Sequence, residues 1–214
     1  MQLPDLGYEK KYWESGVRLL AGIDEAGRGP LAGPVVAGAV VVFPEIAEKM
    51  ATDPDFRLVR DSKTLSARQR EKAYDFVAAN FPFGVGFSGH ETIDRVNILQ
   101  AAYLAMKKAL SDLQRKLQGD VEMILIDGRG LIPNISVSQE NIINGDRISF
   151  SISAASIVAK VSRDRMMTEL DAKFPEYGFA RHKGYGTREH FKMIEKYGPC
   201  EVHRKSFKIR NPKH

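Results

Sequence analysis

The stretch GIDEAGRGPLAGP, Gly22 to Pro34, sets two adjacent carboxylates, Asp24 and Glu25, between apolar runs and a loop of glycines, prolines and Arg28. Another acid, Asp127, closes the run Met123-Ile124-Leu125-Ile126 and is followed at once by Gly128-Arg129-Gly130. The pattern of apolar run, acid, glycine, arginine, glycine therefore occurs twice. Asp and Glu are seldom buried unless paired or metal-bound. In open α/β sheets, sites gather where strands end. If the two runs are neighbouring strands, Asp24 and Asp127 converge, and a divalent cation would relieve their repulsion. An oxygen-only donor set suits Mg²⁺ or Mn²⁺ rather than zinc. Glycines let a backbone approach a ligand closely, and an arginine forks onto phosphate. Metal ions beside such a loop suit phosphodiester hydrolysis, in which two cations stabilise the attacking water and the leaving oxygen.

Asp24 and Glu25 pose a geometric problem, because neighbours on a regular strand point to opposite faces. Both reach one site only if the strand ends or bulges there, or if Glu25 acts from another angle. Gly27 and Gly29 allow such a break. The alternative stays open on residue types alone: Asp24 as a turn cap, Glu25 as a solvated loop residue, Gly27-Arg28-Gly29 as a tight turn.

The elements that would position these residues alternate. Strands are expected at Leu19–Asp24, Val35–Phe43, Phe83–Ser88 and Met123–Asp127, the second buried on both faces. Segment 45–62 reads as loop or irregular helix. Helices are expected at Ala67–Asn80 behind Ser66, from Asn97 to Gly119, over Ser153–Lys173, and from Thr187 through Tyr197. In the third helix, Ala154, Ile157, Val158 and Val161 form one face, with Ser156, Lys160 and Arg163 as a polar, basic stripe opposite. The expectation is an α/β core over about 15–145 and a mainly helical part over about 146–214, in one domain spanning 1–214.

Thirty-two Lys and Arg against 27 Asp and Glu leave a net charge of +5, with basic residues denser toward the C-terminus. A polyanionic partner such as nucleic acid fits that balance. Cys200 is the only cysteine, which excludes an internal disulfide and a cysteine-built zinc site. The first residues carry no apolar core of signal-peptide length, and no run approaches the ~18 residues of a membrane span. Nothing in the chain suggests an obligate assembly, so the expectation is a cytoplasmic monomer without a membrane partner.

Six segments together resemble the type 2 ribonucleases H, of the bacterial ribonuclease HII kind. They are GIDEAGRGPLAGPVVAGAVV (22–41), DSKTLS (61–66), ILIDG (124–128), NGDRISFSISAASIVAKVSRDRMM (144–167), YGFARHKGYGTREH (177–190) and HRKSF (203–207). The resemblance implies a ribonuclease H-like mixed sheet flanked by helices, with a C-terminal helical region. It implies cleavage of the RNA strand of RNA–DNA hybrids and nicking of duplex DNA at embedded ribonucleotides. By motif position it implies Asp24, Glu25, Asp127 and Asp146 as the acids of a two-metal site. It also implies that Gly27, Arg28 and Gly29 read the 2′-OH and adjacent phosphate, assisted by Tyr185.

Asp146 is preferred to Asp164, which sits inside a helix between arginines and reads as an ion-pair residue. The family usually has Lys-Gly-Asp or Lys-Ala-Asp where this chain has Asn144-Gly145-Asp146, so the acid is kept and the preceding cation is not. Tyr185 lies between two glycines and can stack on a sugar while offering its hydroxyl; core packing is the alternative. Lys63, Ser156, Lys160, His182 and Lys183 are candidate substrate contacts, each lysine alternatively a solvated charge. The five histidines show no ligand spacing. Rival readings are a nuclease indifferent to the 2′-OH, a nucleic-acid-binding module with a structural metal, and a small-molecule phosphohydrolase.

Overall fold

The computed structural model describes residues 3–208. Its elements are α1 (Gly7–Glu14), β1 (Leu20–Ala26), β2 (Val35–Val42), α2 (Ile46–Thr52), α3 (Ala67–Asn80), β3 (Phe83–Ser88), α4 (His90–Val96), α5 (Ile98–Leu117), β4 (Met123–Asp127), β5 (Ser138–Ile142), α6 (Phe150–Lys173), α7 (Phe179–His182) and α8 (Arg188–Tyr197). Short 3₁₀ turns occupy Pro54–Leu58, Ser62–Thr64, Gly145–Arg147 and Pro175–Tyr177. The five strands form one mixed sheet in the order β3-β2-β1-β4-β5. β1 runs antiparallel to β2 and parallel to β4, pairing Ile23 with Ile126. Asp24 and Asp127, one residue further along each strand, therefore leave the same end of the sheet.

Strand periodicity sorts side chains to two cores. Ala21 and Ile23 of β1, with Ile124 and Ile126 of β4, pack against Ala102, Ala105, Ala109 and Leu113 of α5. Val40 and Val42 of β2 meet Phe150, Ala154, Ile157 and Val158 of α6 on the opposite face, with Ala73 and Val77 of α3 behind them. Leu20, Met123 and Leu125 share that face with Ile152. The small side chains of α6 let it lie directly on the sheet. At Gly22 a Cβ would stand 2.2 Å from the Ser151 carbonyl carbon, so only glycine fits under the helix there.

The helix starts follow their capping chemistry. Ser66 and Gln69 form a reciprocal capping box on α3. Asn97 accepts from Leu99 and Gln100 at the start of α5, and Thr187 accepts from His190 at the start of α8.

Several elements differ from the sequence expectation. α6 begins at Phe150, not Ser153, because Ser149 serves as its cap. Segment 45–62 contains α2 and two 3₁₀ turns. α1, α4, α7 and β5 stand where the sequence pattern predicts no element. α1 is fastened by Glu9, which is fully buried and accepts hydrogen bonds from Ser149 Oγ, Ser151 N and Ser151 Oγ at 2.6–2.9 Å. The stripe on α6 is not a solvent-facing one: Ser156 is buried and Arg163 is fully buried. α6 lies between the sheet and other elements and has almost no free face in its first three turns.

Among the described residues, no helix is long and apolar enough to cross a membrane. The basic tail read from the sequence runs to His214, and its residues 209–214 lie outside the described ones.

Candidate active site

The ends of β1 and β4, the turn at Gly145–Arg147 and the start of α6 bring three acids together. One carboxylate oxygen each from Asp24, Asp127 and Asp146 lie within 4.8 Å of one another. Asp24 and Asp127 stand on the α6 face of the sheet, in phase with Leu20 and Leu125. Asp127 Oδ1 accepts the Gly145 N–H at 2.7 Å, which ties the Asp146 turn to the end of β4. Asn144 opens that turn at φ 57°, a left-handed conformation that asparagine tolerates better than most residues.

The cluster is held in an electrostatically costly state. Burial, then the charges of Glu25 and Asp127, push the Asp24 carboxyl well above the usual range. The Ser156 hydroxyl and the Glu25 N–H, 2.7 Å from Oδ1, oppose that rise only in part. Burial and the charge of Asp146 raise Asp127 in the same way. Lys63 Nζ lies 2.8 Å from Asp146 Oδ2. Burial pulls this ammonium down, but its bond to Asp146 and the charge there outweigh burial and leave its pKa raised. One lysine does not balance three carboxylates. An oxygen-only donor set of this charge fits one or more hard divalent cations.

Glu25 answers the geometric problem without a bulge. β1 stays in regular register through Ala26, pairing Asp24 with Gly38 and Glu25 with Ala37. Glu25 accordingly leaves on the α5 face, where its Oε1 accepts from Arg28 Nη1 at 3.2 Å. Burial raises its pKa and Arg28 draws it back. Glu25 flanks the three aspartates from across the sheet.

A cleft of about 260 Å³ opens over the cluster. Asp24, Glu25, Gly27, Arg28, Gly29, Lys63, Asp127, Ser156, Lys160 and Tyr185 all line it, the whole of the sequence-derived candidate set except three. Asp146 stands at its side behind Lys63. His182 and Lys183 are not brought into it. His182 lies between the Tyr177 carbonyl and the Gly184 N–H, and Lys183 Nζ bonds the Asp164 carbonyl and Thr168 Oγ1. Lys160 reaches Asp164 at 2.6 Å, and Arg70 reaches the same carboxylate at 3.4 Å. Asp164 is thus an ion-pair residue remote from the aspartate cluster.

Two buried arginines build the loop, Arg163 of the α6 stripe and Arg204 of the HRKSF segment. Arg163 donates to the carbonyls of Pro34 and Ala32, at 2.9 and 3.3 Å. Arg204 donates to those of Gly33, Arg28 and Gly27, at 2.6–3.0 Å. No carboxylate pairs with either among the described residues, and burial together with Arg163 draws Arg204 down to about 9. Carbonyl oxygens take five of their donors, with Arg163 Nη1 left unpartnered among the described residues, so the Gly27–Pro34 loop is fixed from behind. The backbone N–H groups of Gly27, Arg28 and Gly29 have no protein acceptor among the described residues.

Histidines also fix the Tyr185 loop. The Tyr185 carbonyl can only accept, so His190 Nδ1, at 3.0 Å, carries a proton. His190 Nε2 then accepts from His203 Nε2 at 3.0 Å, and His203 Nδ1 accepts the Cys200 N–H at 3.0 Å. Leu31 N donates to the Gly184 carbonyl at 2.8 Å and joins the two loops. Histidine spacing in the sequence gave no hint of this chain, because residues 182, 190 and 203 meet only through the packing of α7, α8 and the segment after them.

A mixed five-stranded sheet with carboxylates at the shared end of its central parallel strands, and a helical C-terminal part, defines a ribonuclease H-like nuclease. A sequence model of the family described as Ribonuclease HII matches residues 21–210, and the chain belongs to that family. It is 45% identical over 210 residues to the ribonuclease HII of Caldicellulosiruptor saccharolyticus, covering 94% of this chain and 96% of that one. It is 50% identical over 193 residues to that of Geotalea daltonii, covering 90% and 83%. Its fold is similar to the crystal structure of ribonuclease H2 from Pyrococcus horikoshii, with TM-score 0.67, 26% identity, and 89% and 94% of the two chains covered. The chain is an endoribonuclease that degrades RNA in RNA–DNA hybrids.

Proposed function

We propose that Asp24, Glu25, Asp127 and Asp146 form the hydrolytic centre, and that cleavage extends to single ribonucleotides embedded in duplex DNA. The observation that carries this reading is the meeting of three carboxylates within 4.8 Å beneath a cleft walled by the Gly27–Gly29 loop and Tyr185. The four acids would hold Mg²⁺ or Mn²⁺, as a pair of ions. When bound, such cations supply positive charge to an attacking water and to the leaving 3′-oxygen of an in-line displacement.

The chain's own groups do the rest. Arg28 and the free N–H groups of the loop bind the phosphate beside the ribose. The exposed ring of Tyr185 stacks on the sugar and its hydroxyl meets the 2′-OH. A site built to bond that hydroxyl leaves polar groups unpaired when it is missing, which makes rejection of DNA strong. Lys63 restrains Asp146 and adds charge for the substrate, and Lys160 and Ser156 face the strand from α6. His182 and Lys183 stand outside the cleft and contribute through phosphates farther along the strand. Products end in 5′-phosphate and 3′-hydroxyl groups. One domain carries both parts, the sheet holding the acids and the helical part presenting Tyr185; it works as a cytoplasmic monomer.

The test is a DNA duplex with one ribonucleotide beside an all-DNA duplex, each with Mg²⁺, Mn²⁺ or chelator. Metal-dependent nicking at the ribonucleotide alone supports the reading. Cutting of both duplexes overturns the role of the 2′-OH, and binding without cutting overturns the hydrolytic centre.

A further inference from the structure

Gly128-Arg129-Gly130 repeats, one strand over, the form of Gly27-Arg28-Gly29. β1 and β4 are parallel neighbours, so both turns leave the same sheet end. Gly27 and Gly128 both have φ +99°. The second glycine of each turn faces a tyrosine. A Cβ at Gly29 would lie 3.8 Å from Tyr185 Cε1, and one at Gly130 would lie 2.1 Å from the Tyr103 hydroxyl oxygen. Tyr103 belongs to the second turn of α5, on the opposite side of the sheet from Tyr185's cleft.

A second cleft, of about 300 Å³, lies on that side. Glu25, Arg28, Asp127, Arg129, Tyr103 and Leu99 line it, and the first three also line the cleft over the aspartates. Glu25 is already engaged by Arg28. Arg129 is exposed and makes no ion pair among the described residues, and the N–H groups of Arg129 and Gly130 have no protein acceptor among them. Leu99 is 41% exposed beside them. An uncommitted guanidinium, free N–H donors, an aromatic ring and an apolar wall match a phosphodiester with its sugar.

We infer that this second cleft is a nucleotide subsite: it takes the cleaved strand beyond the scissile phosphate, on the side away from Tyr185, with Arg129 on the phosphate and Tyr103 and Leu99 against the sugar. A strand laid across the carboxylates must leave them on both sides. The Tyr185 cleft receives one side, and the shared residues Glu25, Arg28 and Asp127 make the Arg129 cleft its continuation. The inference rests on the reading of Asp24, Glu25 and Asp127 as the hydrolytic centre.

The experiment replaces single phosphates of the ribonucleotide-containing strand, one at a time, with neutral methylphosphonates. Wild type and Arg129→Ala are compared in cleavage with Mg²⁺ and in equilibrium binding with chelator. One neutral linkage beside the scissile bond should weaken wild type about tenfold, the scale of a lost charged hydrogen bond. Arg129→Ala should weaken the unmodified duplex by a similar factor, mainly in KM, and be indifferent to that one linkage while still sensing the others. Tyr103→Ala should weaken the unmodified duplex and keep the sensitivity to that linkage. An Arg129→Ala protein with wild-type KM, or with wild-type sensitivity at every linkage, overturns the inference. If Asp24→Asn cleaves normally, it is the hydrolytic centre that fails, and the binding arm still decides whether Arg129 meets one defined phosphate.

Discussion

Asp24 and Glu25 are adjacent in the chain and stand on opposite faces of β1, Asp24 toward α6 with Asp127 and Asp146, Glu25 toward α5 with Arg28. The regular ladder therefore supplies one acid to each side of the sheet end, and no bulge is needed to use both. Their nearness also sets the cost of the site, since burial and mutual repulsion raise the carboxyls of both Asp24 and Glu25.

Asp24→Asn is expected to abolish cleavage while stabilising the metal-free protein. An acid whose folded pKa is raised costs stability when ionised, above that folded value, and costs nothing below its unfolded value near 4. The gain from Asn should thus be present at neutral pH and vanish as pH falls toward 4. Thermal melts in chelator should show it, at about 2–4 °C for each kcal/mol of relieved repulsion. Added Mg²⁺ should raise the melting temperature of wild type more than that of the variant.

Lys63→Ala should reduce kcat/KM by about 10–100-fold, the scale of one charged hydrogen bond. It should also lower the melting temperature in chelator, because Asp146 loses the cation 2.8 Å away and still faces Asp127. Saturating Mg²⁺ should narrow that difference. Equal melting temperatures in chelator would show that the pair does not restrain the cluster.

Tyr185→Phe and Tyr185→Ala should both lose cleavage at a ribonucleotide, Ala more than Phe, since Phe keeps the stacking face and loses only the hydroxyl. Tyr185 is 44% exposed, so neither change should disturb folding much. Measured rates equal to wild type in both variants would remove Tyr185 from recognition of the ribose.

The histidine chain should make the protein acid-sensitive. His190 is fully buried, and burial draws its pKa from 6.5 to about 4; His203 is lowered for the same reason. Below pH 6.5 the unfolded state takes a proton that folded His190 refuses until about pH 4. Stability is therefore full above pH 6.5 and falls across that window. His190→Asn keeps a donor for the Tyr185 carbonyl and removes the titration. Urea unfolding of both proteins from pH 7 to 4.5 should show wild type losing its advantage, the carboxylates cancelling in the difference.

Much of this site was legible in the sequence for a physical reason. A buried strand that ends in an acid before a glycine is a costly arrangement, and Asp24 and Asp127 announced it twice. Asp146 carried no such signal: it sits in a short turn, and only resemblance to a family pointed to it. β5, with the sequence SQENI, is an edge strand whose exposed and half-buried polar residues hide it from an apolar pattern. Glu9 lies in a polar N-terminal stretch, and nothing in residue types shows its burial until the start of α6 is placed over it. The burial of Arg163 and Arg204 is hidden in the sequence because their partners are backbone carbonyls, which leave no trace in residue types. The polar stripe on α6 followed correctly from helical spacing, but spacing does not say which face the rest of the chain covers.

The most direct measurement is calorimetric titration of Mn²⁺ into wild type, Asp24→Asn and Asp127→Asn, each first shown to be folded by thermal melting. Wild type should bind with a saturable heat signal of either sign, and each variant should bind at least about tenfold more weakly, the scale of one lost ionic contact. Affinities equal to wild type in both folded variants would contradict the assignment of these carboxylates to a metal-holding centre.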